Sequence, residues 1–476
     1  MNTSRVAIIG TGPSGIAAAT KLLELGFQKV TLIEAENRIG GRIHTIPFAD
    51  NVVDLGAQWC HGQKNNVVYE LASKEENLLE HSGEDFDKFD CIRSNKDVVA
   101  EKTIDRLKTI FESIMKKGEK ELLTYDGSVG KYVTNEFFEA LKQPENSDID
   151  VTIAKEMFES FKKMENSLNA CDSIDELSSK GFMDYYDCEG DLYMNWKDKG
   201  YIQFLRLLMK STEGNELGIL DQKVKLGKQV QKITWNQDNG QQAIQIQCKD
   251  NEVIEADHVI VTVSLGVLKE KHSKLFDPKL PVEKIRAIES IGFGTVNKIY
   301  MEFATQFWPN DWNGFNSLWR EDDLNDIRGS SQAWFEDVIG FYPVTHQPKI
   351  LCGWMVSSNA RHMETLSEDE VIRRCLEFLR KFLLWDIPAP VNFKRTTWYS
   401  NENFRGSYSF QSVKAEESKA KPIDLARPLE DEDKKPLVLF AGEATSEHHF
   451  STVQGAVESG WREAKRLAEF YNIKAE

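Results

Sequence analysis

The sequence predicts an α/β protein in which a discontinuous, Rossmann-like dinucleotide-binding domain is interleaved with a second domain of mixed sheet and helix. Three observations lead to this prediction. A strand, a glycine-rich turn, a helix and a second strand open the chain, strand patterns return in its middle, and a further strand and a long amphipathic helix close it. Boundaries near residues 86, 220, 298 and 391 assign residues 1–86, 221–298 and 392–476 to the dinucleotide-binding domain, and residues 87–220 and 299–391 to a second, substrate-binding domain.

The first unit is predicted to be a crossover between two parallel strands. The run Val6–Ile9 is typical of a buried strand, and residues 10–15 form a glycine-rich turn. Apolar residues at helical spacing continue from the turn to Gly26, where a helix would end, and Lys29–Glu34 supplies the second strand. Such a unit packs right-handed onto a parallel sheet.

The remaining elements follow from periodicity. Residues 66–220 are rich in Lys, Glu, Phe and Leu at helical spacing and are predicted to be mostly helical. The charged stretch Lys414–Lys435 is predicted to be a solvated loop without a binding role. A final helix carries its apolar residues on one face between Val453 and Tyr471. Further strands are predicted at Gln229–Trp235, Ala243–Cys248, His258–Val263, Val296–Phe303 and Leu437–Ala441.

Composition narrows the class of protein. The chain has 476 residues, 41% hydrophobic and 28% charged, so it is outside the range of disordered sequences. A formal net charge of -17 argues against binding nucleic acid through its phosphates. The seven cysteines are scattered without a CxxC pair, which predicts reduced thiols and no metal site.

The ends of the chain predict a location. The first apolar run begins at Val6 and leads straight into the turn, which leaves no room for a secretion signal, and no apolar run approaches the length of a membrane span. The chain ends in neither a KDEL-type nor an SKL-type signal. We therefore expect a soluble, cytoplasmic protein with no membrane partner.

The glycine-rich turn has the spacing of a dinucleotide fingerprint. Gly10, Gly12 and Gly15 would allow the sharp turn, the close approach of a pyrophosphate and the seating of the helix on the strand. Glu34 follows at the end of the next strand, where a carboxylate accepts ribose hydroxyls and repels a 2′-phosphate. The alternative, a glycine-rich turn without function, is disfavoured because strand, turn, helix and acidic residue occur together.

The segment after the second strand introduces a resemblance to a known family. Glu36–Arg42 carries a double glycine followed by an arginine, an extension of the pyrophosphate cradle that resembles the flavin-containing amine oxidases. The resemblance runs from residue 5 to about 470, is weakest between 86 and 220, and is nearest to the animal spermine oxidases and N1-acetylpolyamine oxidases. It is carried by Asp54–Gly62, Val261–Leu268, Gly292–Lys298, Phe404–Ser409, Ala441–Thr445 and Ser451–Ala456.

The resemblance implies non-covalently bound FAD and a set of residues that contact it. Glu443 would bind hydroxyl groups of the cofactor, Trp398 would flank the isoalloxazine, and the helix that begins near Thr452 and Val453 would point its amide end at the flavin ring. The implied cofactor-binding residues are Gly10, Gly12, Gly15, Glu34, Gly41, Arg42, Trp59, Val230, Trp398, Gly442, Glu443, Thr452 and Val453.

Three residues are implied to be catalytic. Lys298 would hold a water beside flavin N5, although composition alone favours an outward lysine on a half-exposed strand. His61 matches a histidine at the polyamine site, with a hydrogen-bonded core histidine as the alternative, and Tyr408 matches an aromatic wall of the amine channel. Glu165 lies roughly where the acetylpolyamine enzymes contact substrate, but a helix-surface glutamate is the preferred interpretation.

The implied reaction is oxidation of a polyamine. A hydride would pass from a carbon next to a secondary amine to the flavin, giving an aminoaldehyde and a shorter polyamine, and oxygen would reoxidise the flavin to yield hydrogen peroxide. The expected partners are the polyamine and oxygen, and the expected state is a monomer. Thr452 agrees with the animal enzymes, whereas His448–Phe450 and Gln454 depart from the vertebrate pattern, so the choice between spermine and acetylated substrates stays open.

Other functions remain to be separated from this one. A monoamine oxidase is disfavoured because no membrane helix follows Tyr471, and a histone demethylase because the chain lacks room for the extra domains. An L-amino acid oxidase would need an arginine for the substrate carboxylate. A flavin-binding scaffold without turnover and a nicotinamide dehydrogenase are the remaining alternatives, and the segment Gly40–Arg42 argues against the second.

Overall fold

The computed structural model describes residues 2–81, 88–236 and 243–473. Its strands are β1 (Asn2–Ile9), β2 (Phe27–Ile33), β3 (Thr45–Phe48), β4 (Asn51–Asp54), β5 (Glu80–His81), β6 (Asp90–Arg93), β7 (Met194–Asn195), β8 (Val224–Lys225), β9 (Val230–Thr234), β10 (Ile244–Cys248), β11 (Val253–Ala256), β12 (His258–Val261), β13 (Phe276–Asp277), β14 (Gly292–Gly294), β15 (Val296–Glu302), β16 (Phe315–Leu318), β17 (Val338–Val344), β18 (Gln347–Val356), β19 (Asn392–Arg395), β20 (Tyr408–Phe410), β21 (Leu429–Glu430) and β22 (Pro436–Phe440).

Helices occupy much of the sequence between the strands. They are α1 (Pro13–Glu24), α2 (Val67–Ala72), α3 (Glu101–Glu121), α4 (Val129–Leu141), α5 (Val151–Asn169), α6 (Ser179–Phe182), α7 (Ile202–Met209), α8 (Leu265–Leu275), α9 (Val282–Ser290), α10 (Glu321–Arg328), α11 (Ser357–Glu364), α12 (Glu368–Phe382), α13 (Val413–Glu417), α14 (Pro422–Ala426) and α15 (Val453–Phe470). The predicted α/β class and the predominance of helix in residues 66–220 are therefore confirmed.

A six-stranded sheet with the order β21-β22-β12-β1-β2-β8 contains the predicted crossover. β1 is parallel to both neighbours, so that Val6 pairs with Val30 on one side and His258 on the other. β22 continues the parallel set beside β12, and the short β21 is antiparallel to it. The carboxyl ends of β1, β2, β12 and β22 consequently meet at one edge.

Both faces of this sheet are covered. Val6 and Ile8 pack towards α1 and α15, whereas the alternate residues Ala7 and Ile9 pack towards the four-stranded sheet β11-β10-β9-β13. The two helices approach closely because Gly460 lies at their contact: a Cβ there would lie 2.2 Å from the Ser14 carbonyl oxygen. This packing holds the start of α1 and the start of α15 on the same side of the sheet.

A second six-stranded sheet has the order β19-β15-β18-β17-β16-β6. In β15, Ile299 and Met301 face a core shared with α11 and α12. The alternate residues Val296 and Tyr300 belong to other clusters on the opposite face, and Lys298 lies between them in the same alternation. β15 therefore presents Lys298 away from its own helical layer.

One predicted element is wrong. Lys414–Lys435 is not a solvated loop, because α13 and α14 form there and bury Ala415, Ala420 and Leu425 in the core beside the first sheet. The buried ammonium of Lys284 donates to the Leu425 carbonyl at 2.6 Å and satisfies the end of α14. The sequence of this segment is rich in charged residues, and its few apolar residues, which anchor it to the core, therefore gave no recognisable helical pattern.

The division into two domains stays a prediction. The two six-stranded sheets draw their strands from different parts of the chain, but the boundary expected near residue 86 lies outside the described residues. The seven cysteines, which the sequence predicts to be reduced thiols, are free and buried in the structure. Within the described ranges, no helix is both long enough and apolar enough to cross a lipid bilayer.

Candidate active site

A cavity of about 1010 Å³ lies between the carboxyl edge of the first sheet and the face of the second sheet that carries Lys298. We call its two parts the dinucleotide end and the aromatic end. The dinucleotide end is lined by Gly10, Gly12, Glu34, Gly41, Arg42, Val230, Gly442, Glu443, Thr452 and Val453. The aromatic end is lined by Trp59, His61, Glu165, Tyr185, Tyr193, Lys298, Trp354, Trp398 and Tyr408.

Main-chain geometry shapes the dinucleotide end. Gly10 has φ +108°, and a Cβ at Gly15 would lie 2.1 Å from the Gly10 carbonyl oxygen, so the turn from β1 into α1 tolerates only glycine at both positions. Gly12 is different, since a Cβ there would meet no atom closer than 3.9 Å. Its backbone is therefore open to a ligand in the cavity.

Glu34 lies where the sequence predicted it, one residue beyond β2 on the cavity wall. Its Oε2 accepts the main-chain N–H of Thr11 at 2.8 Å and the Thr11 hydroxyl at 2.7 Å, while Oε1 accepts the N–H of Glu36 at 2.8 Å. The carboxylate therefore holds the glycine-rich turn in place as well as facing the cavity.

The double-glycine segment packs directly on this turn. Gly41 has φ +57°, and a Cβ there would lie 3.1 Å from the Gly12 Cα. The N–H of Gly40 donates to the Thr11 carbonyl at 2.8 Å. The two glycine-rich segments thus form one surface, with both backbones exposed to the same part of the cavity.

Arg42 and Glu443 form an ion pair across the dinucleotide end. Arg42 Nη1 donates to Glu443 Oε1 at 2.9 Å and to the Ser407 carbonyl at 2.7 Å. Glu443 Oε2 accepts the Ser409 hydroxyl at 2.6 Å and the Ser451 N–H at 2.8 Å. Because both carboxylate oxygens are engaged in the protein, Glu443 holds four segments of chain together at this wall.

The amino end of α15 also faces the cavity. Thr452 caps the helix, its hydroxyl accepting the Gly455 N–H at 3.0 Å, and Val453 is the first helical residue. Gly442, just beyond the end of the strand β22 that leads towards α15, has φ +131°, and a Cβ there would meet no atom within 4 Å. The partial positive charge of a helix start favours anionic groups placed here.

Lys298 is buried at the junction of the two ends. Its Nζ donates to the Asp54 carbonyl at 2.9 Å, the Gly56 carbonyl at 2.9 Å and Gln58 Oε1 at 2.7 Å. The ammonium lies 4.8 Å from the centre of the Trp354 ring, the residue paired with Lys298 on β18. The side chain is turned inward, so the outward alternative is wrong.

Asp54 lies beside this ammonium, and burial raises the pKa of its carboxyl group to about 6. A hydrogen bond from Thr45 and the charge of Lys298 act in the opposite direction and lower that pKa. Its carboxyl oxygens accept the N–H of Tyr201 at 3.1 Å. Asp54 belongs to the segment that binds Lys298, and its carboxyl group connects this segment to the start of α7.

Aromatic rings form the walls of the other end. Trp59 stacks on Trp354 with centroids 5.6 Å apart and planes at 12°, and Tyr193 meets the Trp59 ring edge-on at 5.8 Å. Trp398 packs against Phe404 and approaches Gly56, where a Cβ would lie 3.2 Å from the indole. These faces suit alkyl chains and cations.

His61 and Tyr408 also lie on this wall. His61 Nδ1 is 2.7 Å from the Leu192 carbonyl, which can only accept, so Nδ1 carries the proton and Nε2 is an acceptor in the neutral ring. Desolvation by the surrounding protein lowers the pKa of His61, although its ring is exposed to the cavity. Tyr408 donates to the Ser167 carbonyl, and burial raises its pKa.

The sequence interpretation missed several residues of the aromatic end. Glu165 is half-buried on the cavity wall, not on a free helix surface, and burial raises the pKa of its carboxyl group to about 7. Trp354 could have been found by pairing β15 with β18. Tyr193 and Asp187 lie in irregular chain whose position no local pattern indicates.

The site fits a flavin dinucleotide. Gly12 and Gly442 leave open space along the wall where any larger residue would project, and the helix starts of α1 and α15 lie beside them. The predicted cofactor residues line this cavity, except Gly15, which acts inside the turn. Their individual contacts with a cofactor stay predictions.

Comparisons with known proteins agree with this geometry. The family model described as flavin containing amine oxidoreductase matches residues 13–468. Proteins named peroxisomal N(1)-acetyl-spermine/spermidine oxidase are 31% identical in Bos taurus, covering 99% of this chain and 96% of the relative, and 31% identical in Homo sapiens, covering 98% and 95%. A solved structure of a redesigned putrescine oxidase has a TM-score of 0.69 at 19% identity, covers 98% of this chain and 99% of that one, and shares the fold.

Proposed function

This chain belongs to the flavin-containing amine oxidoreductase family, and from that membership we propose that it is an FAD-dependent polyamine oxidase acting on spermine or N1-acetylated polyamines. One observation carries the proposal. A glycine-built dinucleotide end continues without interruption into an aromatic end that holds a carboxyl group and a neutral imidazole. The named spermine and spermidine oxidase relatives support the same substrate class.

The proposed cofactor contacts follow from the walls of the dinucleotide end. The backbones of Gly12 and Gly41 would approach the pyrophosphate, with Glu34 at the adenosine ribose. Thr452 and Val453 would place the amide end of α15 beside the flavin ring. FAD, when bound, would supply the hydride acceptor and deliver the electrons to oxygen.

The aromatic end would hold the substrate by its alkyl chain and its charges. Stacked Trp59 and Trp354 would provide flat apolar surfaces, and Glu165 would pair with a substrate ammonium. Among the described residues, nothing donates a hydrogen bond to the Glu165 carboxyl group, so a bound amine would find it available. An ionised Glu165 beside a cation would also have a lower pKa than in the free protein.

Oxidation requires the reacting amine to be neutral, and His61 is placed to assist. Desolvation lowers the pKa of His61 and so favours the neutral imidazole, and Nε2 can accept a hydrogen bond because Nδ1 is committed to Leu192. His61 would therefore accept a hydrogen bond from the N–H of the bound amine and hold its nitrogen in place.

The nature of the wall separates this reaction from amino acid oxidation. An amino acid substrate needs a cationic partner for its carboxylate, and the arginine on the described cavity wall, Arg42, is already paired with Glu443. At the aromatic end the ammonium of Lys298 is already bound to three protein oxygens, and Glu165 and Asp187 are suited to cations. Substrates with several ammonium groups are favoured for this reason.

The test is reduction of the flavin by amines. Purified protein should be yellow, should bleach on anaerobic addition of spermine or N1-acetylspermine, and should release hydrogen peroxide when air is admitted. L-Leucine, which carries a carboxylate, serves as the control and should leave the colour unchanged. A yellow protein reduced by neither polyamine would refute the proposal, and the faster of the two amines would settle which class is preferred.

The proposal includes a cytoplasmic monomer that needs no nucleic acid or membrane partner. The two named relatives are peroxisomal, so the location needs its own measurement. Fractionation of cells with a matrix marker and light scattering of the purified protein test these points. Co-sedimentation with peroxisomes would refute the cytoplasmic location.

A further inference from the structure

One extended segment, residues 54–58, wraps around a single buried ammonium. The three protein acceptors of Lys298 come from alternate residues of this segment: the carbonyls of Asp54 and Gly56, and the side-chain oxygen of Gln58. An ammonium has three N–H donors, so each finds a partner in the segment. The intervening residues, Leu55 and Ala57, line the cavity.

Two of the acceptors are held rigidly. The Asp54 carbonyl also accepts the Tyr300 hydroxyl at 2.8 Å, and its carboxyl group is bound to the start of α7. Gly56 packs closely against Arg42, since a Cβ at residue 56 would lie 1.8 Å from the Arg42 carbonyl oxygen. Ala57 donates its N–H to that same carbonyl at 3.2 Å.

The third acceptor belongs to a side chain. Gln58 is half-buried on the cavity wall, and its Oε1 makes the shortest of the three bonds to Lys298. Rotation about its side-chain bonds would withdraw Oε1 without moving the main chain. The hydrogen bond of one N–H of Lys298 therefore depends on the side-chain conformation of Gln58.

We propose that Gln58 is a positioning residue for Lys298: its amide oxygen holds one N–H of the ammonium away from the cavity, and turning that amide away releases the N–H to an oxygen atom of a bound ligand. The role in turnover rests on the proposed function, because it requires the cavity beside Lys298 to be the reaction site. The hydrogen bond itself does not depend on that function.

The groups around Lys298 determine how a change at Gln58 should affect the protonation of its amine. The titratable groups beside it include Asp54, whose carboxyl group is buried, and Tyr300, and the Trp354 ring lies near the ammonium as well. Loss of one acceptor from a buried ammonium favours the neutral amine. Gln58→Met should therefore lower the pH at which half of Lys298 is neutral by about one unit, and Gln58→Glu should raise it.

The amine can be titrated chemically on the holoenzyme. Acetic anhydride acylates only the neutral amine, so peptide mass spectrometry of the Lys298 peptide over a pH series gives its midpoint without any turnover. The variants are Gln58→Met, Gln58→Glu and the shorter Gln58→Asn. Gln63→Met is the matched control, since Gln63 is a half-buried glutamine five residues beyond Gln58 whose side-chain amide donates to the Tyr69 hydroxyl instead.

Turnover provides the second readout. In the enzyme with Lys298, Gln58→Met should change the pH profile of kcat and alter kcat by about tenfold, with a smaller change in KM. In the Lys298→Met background the same substitution should have little further effect on kcat, because its target is gone.

Each result decides the proposal. An acylation midpoint for Gln58→Met equal to that of Gln63→Met would overturn it, as would an undiminished effect of Gln58→Met in the Lys298→Met background. If Gln58→Met does not fold, Gln58→Asn is measured, and an unchanged midpoint there overturns it too. Should no amine reduce the flavin while the midpoint still shifts, the proposed function fails and the positioning of Lys298 stands.

Discussion

The two ends of the cavity are built in different ways. At the dinucleotide end the wall is mostly main chain, with Gly10 at φ +108°, which favours glycine, and Gly41 so close to Gly12 that a Cβ would lie 3.1 Å from the Gly12 Cα. At the aromatic end the wall consists of side chains from distant elements, such as Trp59, Glu165 and Trp354. The first is specified by residue type within short segments, and the second by how separate elements pack.

This difference has an energetic consequence. A backbone surface has no alternative rotamers, so a substitution that adds atoms must either move the chain itself or project into the space of the ligand. A side-chain wall can repack around many substitutions and lose only the contact that was removed. We therefore expect mutations at the dinucleotide end to reduce stability, cofactor binding or both, and mutations at the aromatic end to alter substrate binding and turnover.

The largest effect should come from Gly15→Ala. Its Cβ would lie 2.1 Å from the Gly10 carbonyl oxygen, so the turn must open, at a cost of about 3 kcal/mol and with loss of flavin retention. Thermal unfolding and the ratio of flavin to protein absorbance measure both quantities.

Gly12→Ala is the matched comparison. Its Cβ would project into open space, with the nearest atom 3.9 Å away, so the free protein should keep its stability while the bound cofactor is displaced. Equal losses of stability in the two variants would contradict the distinction between a packed glycine and a glycine that faces a ligand.

The two ends also differ in how much of each can be predicted from the sequence. Glu34 and the glycines could be placed because the strand, turn and helix around them are local patterns, and the structure puts Glu34 on the predicted wall. Glu165 could not, since the pattern of α5 does not say which structure covers that face of the helix. The same reason explains the error at Lys414–Lys435, whose apolar anchors are few and separated by charges.

The second effect in size concerns the ion pair that closes the dinucleotide end. Glu443→Gln leaves Arg42 without its carboxylate and replaces one acceptor by a donor facing Ser409 or Arg42. Because Glu443 is buried and Arg42 is partly exposed, we expect a loss of about 2 kcal/mol and weaker flavin retention. Denaturant unfolding with and without added FAD measures both.

A double-mutant cycle gives the control for this pair. In an Arg42→Met background, Glu443→Gln should cost about 1 kcal/mol less, because no cation is left unpaired. Additive losses would show that Glu443 acts through Ser409 and Ser451 rather than through Arg42.

The third prediction moves to the aromatic end, where Glu165→Gln should affect stability through pH. Burial raises the pKa of Glu165 to about 7, so the native state holds this proton more tightly than the unfolded chain, and stability falls as pH rises from about 4.5 to 7. Glutamine removes that penalty. We expect the variant to be more stable than wild type by about 1 kcal/mol at pH 8 and no more stable at pH 4, as measured by thermal unfolding.

The control is Glu159→Gln on the same helix, an exposed residue paired with Lys162 that does not line the cavity, which should leave KM for the polyamine unchanged. Glu165→Gln should also raise KM for the polyamine by about tenfold, since a substrate ammonium loses its partner. A stabilised variant with an unchanged KM would mean that Glu165 lines the cavity without contacting substrate.

The smallest effect should come from a contact that joins the two ends. The exposed rings of Tyr186 and His448 stack at 4.1 Å with planes at 5°, and His448 Nδ1 lies 2.9 Å from the Asp184 carbonyl. This contact tethers the segment that carries Tyr185 to the turn before α15. His448→Ala should cost only about 0.5 kcal/mol, because both rings are already in water.

The stack should nevertheless matter for motion. Without it, hydrogen exchange in residues 184–189 should become faster, while exchange in α15 stays unchanged, since that helix is anchored independently by its packing on α1 at Gly460. His448→Phe keeps a ring for stacking but loses the hydrogen bond, so its exchange rate should lie between those of wild type and His448→Ala. Faster exchange throughout α15 would show that the two ends of the cavity unfold as one cooperative unit. Their walls would then differ in how they are built, from main chain or from side chains, but not in local stability.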